Sequence, residues 1–452
     1  MSEKSAVILV DHRTRDLMGS VLLAHHLEKR GVCCHLEPLE SYHGCLAAFA
    51  PDLILFNHIN SSHLVKYSHR LHSLNVLTAV LPNEGILYHE DTLRYNSGRF
   101  HKGSHMDFYF CWNDIHQRAL REEGPGGKDT RIEVVGVPRF DLYFKPWSHV
   151  FDGPPRQPGA RPRILLCTNL AFARYEHLSD ADAAKFFAPF LRIPLYADYK
   201  SNIQAHIRSR AKLMIFLQTL AESGEFDVLL RPHPREEASW YAERIAAWPE
   251  TARARITMDS VSIMPELMLN CDLEISCETC TTAMEAWIAR KPAVELIFER
   301  HPLFFHDNQA RLNVLCEDPA TIVETLKHEL ANPAQAGHAE GRHEHLATWC
   351  HTPDGRASER LAEMLAEAIH AKPPVKKQFT LAERRKAAKL KLLRALDLPY
   401  NFAPLLPLKA RLNPADYSTK WMAYRKTIRP SDVTQARARL AEAMRVEEGS
   451  AR

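Results

Sequence analysis

The chain opens with an apolar run, Ala6-Val7-Ile8-Leu9-Val10, that stops at Asp11 and then changes period. "LMGSVLLAHHLEKRG" spaces its apolar residues three and four apart and ends at Gly31, the pattern of a helix with a glycine cap. The alternation repeats: "VCCHLEPL", "DLILFNH", "VLTAVLPNEG", "MDFYFCWND" and "IEVVGVP" read as short buried strands, several with helical stretches between them. Strands alternating with helices at this spacing predict a parallel, doubly wound sheet. "DHRTRDLMG" follows the first strand where a dinucleotide-binding half would carry GxGxxG, so a standard NAD-binding half is disfavoured.

"FDGPPRQPGARP", residues 151–162, holds four prolines and two glycines and reads as a linker. The alternation restarts beyond it with "RILLCTN", a long helix through "NIQAHIRSRAKLMIFLQTLAE", then "FDVLLRPHP", "ARITMD", "DLEIS" and "AVELIF". The pattern thus predicts two Rossmann-like domains, 1–155 and 156–372, enclosing a cleft. A third region, 373–452, begins after "KPPVKK". In it "LAERRKAAKLKLLRALDL" puts Leu381, Ala388, Leu392, Leu393 and Leu396 near one helical face amid Lys and Arg. This extension reads either as helix packed on the N-terminal domain or as an arm on anionic lipid.

Charge sharpens that choice. The total is +3, yet residues 372–452 hold 19 Lys and Arg against 7 Asp and Glu, so an excess of 12 in the tail leaves −9 on the body. No recognisable DNA- or RNA-binding module accompanies this charge, so nucleic acid is not expected as a partner. The ten cysteines are scattered, several in apolar runs, as free thiols of a reducing compartment. "CETC" (277–280) lacks a second CxxC, and "HAEGRHEHLATWCH" (338–351), with His343, His345, Cys350 and His351, reads as a solvated polar segment. "SDAD" (179–182) sits in a polar helical stretch, so neither a metal nor a cofactor is expected. The apolar stretch before Asp11 is too short for a signal peptide and no run is long enough to span a bilayer, which predicts a cytoplasmic protein.

Two segments carry candidate chemistry. In "FDVLLRPHPREE" a buried strand runs into Arg231-Pro232-His233-Pro234, and the two prolines stop the strand and hold the histidine at the sheet's C-terminal edge. In "DLEISCETCTTAMEAWIARKP" a strand turns through Glu278 and Thr279 into a helix opened by Thr281 and Thr282. Free amides, hydroxyls and a helix dipole there suit a phosphate, and Glu285 in the first turns suits a ribose hydroxyl.

"SCETCTTAMEAWIARKP" resembles the nucleotide-binding run of GT-B glycosyltransferases. "RPHP" is similar to the HP motif of bacterial sialyltransferases and capsule Kdo (3-deoxy-octulosonate) transferases, whose His meets the CMP phosphate. "PNEG" matches the acidic-acidic-Gly motif of those sialyltransferases at Glu84 and Gly85, with Asn83 in the first acidic position. "VVGVPRFD" is similar to a segment of capsule Kdo transferases and CDP-glycerol polymerases. Over residues 5–370 the likeness is to surface carbohydrate biosynthesis proteins.

The resemblance implies a metal-independent GT-B enzyme that moves a sugar, with a CMP-activated 2-keto acid sugar first in line, from a nucleotide-sugar donor to a lipid-linked or lipopolysaccharide glycan. It implies a donor site of Arg231, His233, Glu278, Thr279, Thr281, Thr282 and Glu285, in which His233 stabilises the departing phosphate. Glu84 is the expected base, with Asp11, Asn83, Gly85, Arg139, Asp141 and Asn169 around the acceptor. Gly85 is expected to leave room for the sugar, partial burial to raise the pKa of Glu84, and an Arg139–Asp141 pair to shape the cleft or hold its turn. The alternatives are a CDP-polyol phosphotransferase and a non-catalytic nucleotide-sugar-binding scaffold.

Overall fold

A computed structural model describes residues 3–98, 103–124, 129–154, 156–191, 193–332 and 335–450. The first alternation forms a six-stranded parallel sheet from β1 (Lys4–Val10), β2 (Val32–Pro38), β3 (Leu53–Phe56), β4 (Leu77–Val80), β5 (Phe108–Cys111) and β6 (Arg131–Val134), in the order β2-β1-β3-β4-β5-β6. Ile8 stands opposite Leu36 on one side and Leu55 on the other. Helices cover the faces, so Val7, Leu9, Ile54, Phe56, Val80 and Tyr109 are buried together, and continuous apolar runs are what such strands need.

The second sheet is also parallel. It comprises β7 (Arg163–Cys167), β8 (Asp227–Arg231), β9 (Ile256–Met258), β10 (Leu273–Cys277), β11 (Ala293–Leu296) and β12 (Val314–Cys316), in the order β12-β11-β10-β7-β8-β9. Ile164, Leu166, Leu230 and Ile275 pack with Leu213, Phe216 and Leu220 of the long helix Tyr199–Ser223. Two doubly wound sheets with a helical extension are the architecture the sequence pattern predicts, the Rossmann-like plan of the GT-B class.

The boundaries differ from the expected ones. One compact unit comprises Met1–Val150 and Ala347–Arg452, and the other is Phe151–Leu346. The helix Ala357–Ala371, expected in the second domain (156–372), instead packs on the helix Arg13–Glu28 of the first. Its stripe Leu361, Leu365 and Ile369 is fully buried there, and Arg30 reaches Glu363 at 2.7 Å. A linker's composition marked where the chain leaves the first unit, but no proline-rich stretch marks its return.

The extension packs on the first unit as well. The helix Leu381–Ala395 starts with a capping box of Thr380 and Glu383, and Glu383 also accepts from Arg70 at 2.8 and 3.0 Å. It meets the helix Tyr42–Phe49 at Gly44, where a Cβ would lie 3.0 Å from the Lys386 carbonyl oxygen. The face turned inward is Ala387 and Leu390. The richer face expected to pack is not the one used: Leu381, Ala388, Leu392 and Leu396 remain exposed, and Leu393 is half-buried. Close approach over a glycine selects the narrower stripe. Among the described residues no helix is long and apolar enough to cross a membrane.

Candidate active site

In the second sheet, β8 and β9 lie to one side of β7 and β10 to β12 to the other, so the winding reverses between β7 and β10. Ligands of open parallel sheets bind outside the C-terminal ends at such a reversal. Three strand ends meet this edge: Thr168-Asn169 after β7, Pro232-His233 after β8 and Glu278 to Thr281 after β10. Neighbouring strands are about 4.8 Å apart, so the ends of β8 and β10 stand about 10 Å apart with β7 between them.

His233 is half-buried and held at both ends of its turn. Its backbone N–H donates to Thr168 Oγ1 at 3.0 Å, and its Nδ1 accepts from the Arg235 N–H at 3.1 Å. Burial, then the charges of Arg235 and Arg231, lowers its pKa to about 4. The neutral ring therefore carries its proton on Nε2, a donor with no partner among the described residues.

Glu236, which sequence reasoning passed over, fixes this turn. Its Oε1 accepts from Thr168 Oγ1 at 2.6 Å and from the Leu170 N–H at 2.8 Å, and its Oε2 accepts from the Tyr241 hydroxyl. Burial raises its pKa against those bonds. The only cue in the sequence was a carboxylate three residues past the histidine. Arg231, expected to hold the donor, is buried and donates to the Asp259 carbonyl at 3.0 Å, tying the end of β8 to that of β9.

The turn after β10 is built inward. Glu278 and Thr279 both have positive φ, 54° and 62°, which is uncommon for residues with a side chain. Glu278 is buried and its Oε1 accepts from Ser209 Oγ and from the N–H groups of Phe298 and Glu299, at 2.8–3.2 Å. The Thr279 N–H donates to Glu295 at 2.7 Å, and Thr282 Oγ1 donates to the fully buried Glu274 at 2.8 Å. Burial lifts the Glu274 pKa to about 8, its bonds from Thr282 and Ser276 opposing. Glu278, Thr279 and Thr282 thus shape the turn from inside rather than offering side chains to a ligand, and Glu285 is buried too. The half-buried Thr281 hydroxyl and the N–H groups of Thr281 and of the buried Cys280 have no hydrogen-bond partner among the described residues. Asn169 is likewise half-buried, and its side chain has no hydrogen-bond partner among the described residues. Cys277 and Cys280 are free and buried, and no cluster with metal-binding geometry occurs among the described residues.

In the first sheet the reversal lies between β1 and β3, and Asp11 stands at the end of β1. Its carboxylate accepts from Arg15 at 3.0 Å and from Lys426 of the extension. Burial pushes its pKa up, but Lys426 and then Arg15 and His58 outweigh this and hold it below the ordinary range. A cavity of about 60 Å3 opens in this unit, lined in part by Leu9 of β1 and by Asp16, Asn57, Asn83, Trp112 and Arg139. Asn83 Oδ1 accepts from Asn57 at 2.8 Å and its carbonyl accepts from Arg139 at 2.8 Å.

Three expectations fail at this edge. The Glu84 side chain is 63% exposed and pairs with Arg15 at 3.6 Å, so the burial expected to raise its pKa is missing. Gly85 leaves no room for a sugar, because a Cβ there would stand 2.5 Å from Trp112 Cγ; the indole fills that space. Asp141 forms no pair with Arg139 among the described residues. It is buried and caps the helix Ala357–Ala371, accepting from the N–H groups of Ala357 at 3.0 Å and Ser358 at 2.6 Å. Arg139 instead lies over the Trp112 ring, 4.7 Å from its centroid.

No family model matches this sequence, and no curated protein sequence matches it. Solved structures of similar plan include a UDP-N-acetylglucosamine 2-epimerase, with 13% identity, 84% of this chain and 100% of that one covered, and a TM-score of 0.46. A UDP-GlcNAc 2-epimerase from Neisseria meningitidis bound to UDP-GlcNAc is 14% identical over 80% of this chain and 100% of that one, at 0.45. A glycosyltransferase from Rickettsia africae is 11% identical over 82% and 100%, at 0.42. All three are distant.

Proposed function

We propose that this protein is a nucleotide-sugar-dependent glycosyltransferase that extends a bacterial surface polysaccharide or lipopolysaccharide, with a CMP-activated 2-keto acid sugar as donor. One observation carries the reading. At the reversal point of the second sheet, His233 Nε2–H, the amides of Cys280 and Thr281 and the Thr281 hydroxyl have no partner among the described residues, while the nearby carboxylates Glu236, Glu274 and Glu278 are committed to the interior. Donors without a competing free carboxylate suit a phosphate.

In the proposed reaction the bond between the sugar's anomeric carbon and the phosphate oxygen breaks, and its electron pair leaves with the nucleotide. Negative charge grows on that phosphate. A neutral His233, rigidly aimed by Thr168 and the Arg235 amide, stabilises it as it forms. The acceptor hydroxyl bonds to the anomeric carbon and yields its proton to a carboxylate, for which Glu84 is the first candidate and Asp11 the second. Arg139 and Asn83 support that edge through their own hydrogen bond.

The test offers CMP-sugars, UDP-sugars and CDP-polyols separately and reads thermal shift, released nucleotide and product mass. A ligand bound only by the folded state raises the melting temperature. Stabilisation by a CMP-sugar, CMP release and a glycan heavier by one keto-acid residue support the reading. Addition of a polyol phosphate would make the protein a phosphotransferase, and nucleotide binding without turnover would make it a scaffold.

A further inference from the structure

The extension exposes leucine to an extent found almost nowhere else in the molecule. Leu381 is 65% exposed, Leu392 60%, Leu396 58%, Leu405 61%, Leu408 55% and Leu412 75%. Outside residues 381–412, only Ile215 and Val261 among the described large apolar side chains exceed half exposure. Single exposed apolar residues are ordinary, but a set of six is not.

Their placement is regular. At about 100° per residue, Leu381, Leu392 and Leu396 fall on one stripe of the helix Leu381–Ala395 and its cap. Arg384 and Lys391 lie along one flank of that stripe and Lys389 along the other, while Arg385 stands between Leu392 and Leu396, all exposed. The helix's one acid, Glu383, lies on the opposite side and is bonded to Arg70. Leu405, Leu408 and Leu412 repeat the device at i, i+3 and i+7 around the short helix Leu406–Leu412, with Lys409 and Arg411 beside them. Leucines flanked by cations whose aliphatic stems can reach upward are the arrangement of a helix lying in a membrane interface.

We propose that residues 381–412 dock on the surface of an anionic phospholipid bilayer, the leucines entering the boundary between headgroups and acyl chains and the flanking Arg and Lys meeting lipid phosphates. Charge selects this occupant. The stretch holds eight Lys and Arg against two Asp and Glu, and a second copy related by two-fold symmetry would set like charges face to face. A bilayer rich in anionic lipid supplies the opposite sign over a broad area. The helix stays folded in water because Ala387, Leu390 and the Glu383–Arg70 bond already fix its other side. This inference stands apart from the glycosyltransferase reading, since it concerns a surface and no step of the reaction.

The experiment floats the full chain with vesicles of 30% phosphatidylglycerol in phosphatidylcholine, and with phosphatidylcholine alone. Binding should require the anionic lipid and weaken at least tenfold between about 50 and 300 mM salt, as charges become screened. Leu392→Ser with Leu396→Ser, and separately Arg385→Glu with Lys391→Glu, should each lower binding at least tenfold while the melting temperature stays put, because all four side chains are exposed. Leu405→Ser with Leu412→Ser gives an independent pair should either first variant fail to fold. Absence of binding by the unaltered chain overturns the proposal, as does wild-type binding by well-folded variants. So does self-association that the Leu392→Ser pair abolishes without any vesicle binding, which would assign the face to a second copy.

Discussion

Replacing Asp141 tests whether the "VPRFD" segment serves the fold. Its carboxylate is 2% exposed and receives two N–H groups from the first turn of the helix Ala357–Ala371. Asp141→Ala leaves those buried amides without partners, at about 1–3 kcal/mol each, so a loss of about 2–6 kcal/mol is expected. The ionisation of Asp141 adds a second signature. Burial lifts its pKa to about 6 from 3.8, with the helix amides opposing. A carboxyl raised on folding favours the native state in its protonated form. Its stabilisation is complete below about pH 4 and fades as pH rises through about 6. The shift is worth about 3 kcal/mol in all, of which roughly 1 kcal/mol falls between pH 5 and pH 7. Asp141→Asn cannot ionise and lacks that term. Differential scanning fluorimetry at pH 5 and pH 7 should show the wild-type melting temperature falling about 2–4 °C further than that of the Asn variant, groups common to both cancelling. Parallel curves for the two proteins, or an Ala variant as stable as wild type, would refute the capping role.

Three further outcomes are expected. His233→Ala should abolish the thermal shift given by the best nucleotide ligand and leave the unliganded melting temperature nearly unchanged; a large loss of stability with normal nucleotide binding would make this histidine structural. Gly85→Ala should destabilise by about 1–3 kcal/mol in denaturant titration, because the new methyl meets the Trp112 ring rather than open space. Deleting residues 378–452 removes Leu390 from the first core along with the Arg70–Glu383 and Glu28–Arg437 ion pairs, so the truncated chain should be markedly less stable or aggregate, and a cooperative melt at the wild-type temperature would contradict the packing described.

The strands were legible because sheets covered on both faces demand unbroken apolar runs, and "AVILV", "LILF" and "VLL" have no other use. Strand order was not, since it depends on which helices cross which way. The site was half legible. Prolines around His233 announce a stopped strand, and the structure adds that its imidazole is neutral and aimed. Glu278 looked like a ligand-facing carboxylate, and nothing singled out Glu274 or Glu295, because the groups that satisfy them lie between two and some seventy residues away in sequence. Their burial follows from the three-dimensional course of the chain around β10 and β11. Asp141 misled for the same reason: its partners, Ala357 and Ser358, lie more than two hundred residues further on. The extension reversed its expected face because Gly44, which decides the contact, sits on another helix.

The return of residues 347–450 to the first unit sets an order of events during synthesis. Phe151–Leu346 emerges from the ribosome as one uninterrupted stretch, so the second sheet can close as soon as it is made. The first sheet begins earlier and finishes later. At roughly 5–20 residues per second, the remaining hundred or so residues take about 5–20 seconds to appear. Through that interval the helix Arg13–Glu28 lacks both helices that later cover it, Ala357–Ala371 and Pro430–Ser450, and its apolar side stands open to chaperones or to other nascent chains. A chain halted near residue 346 would therefore carry a finished younger unit and an unfinished older one.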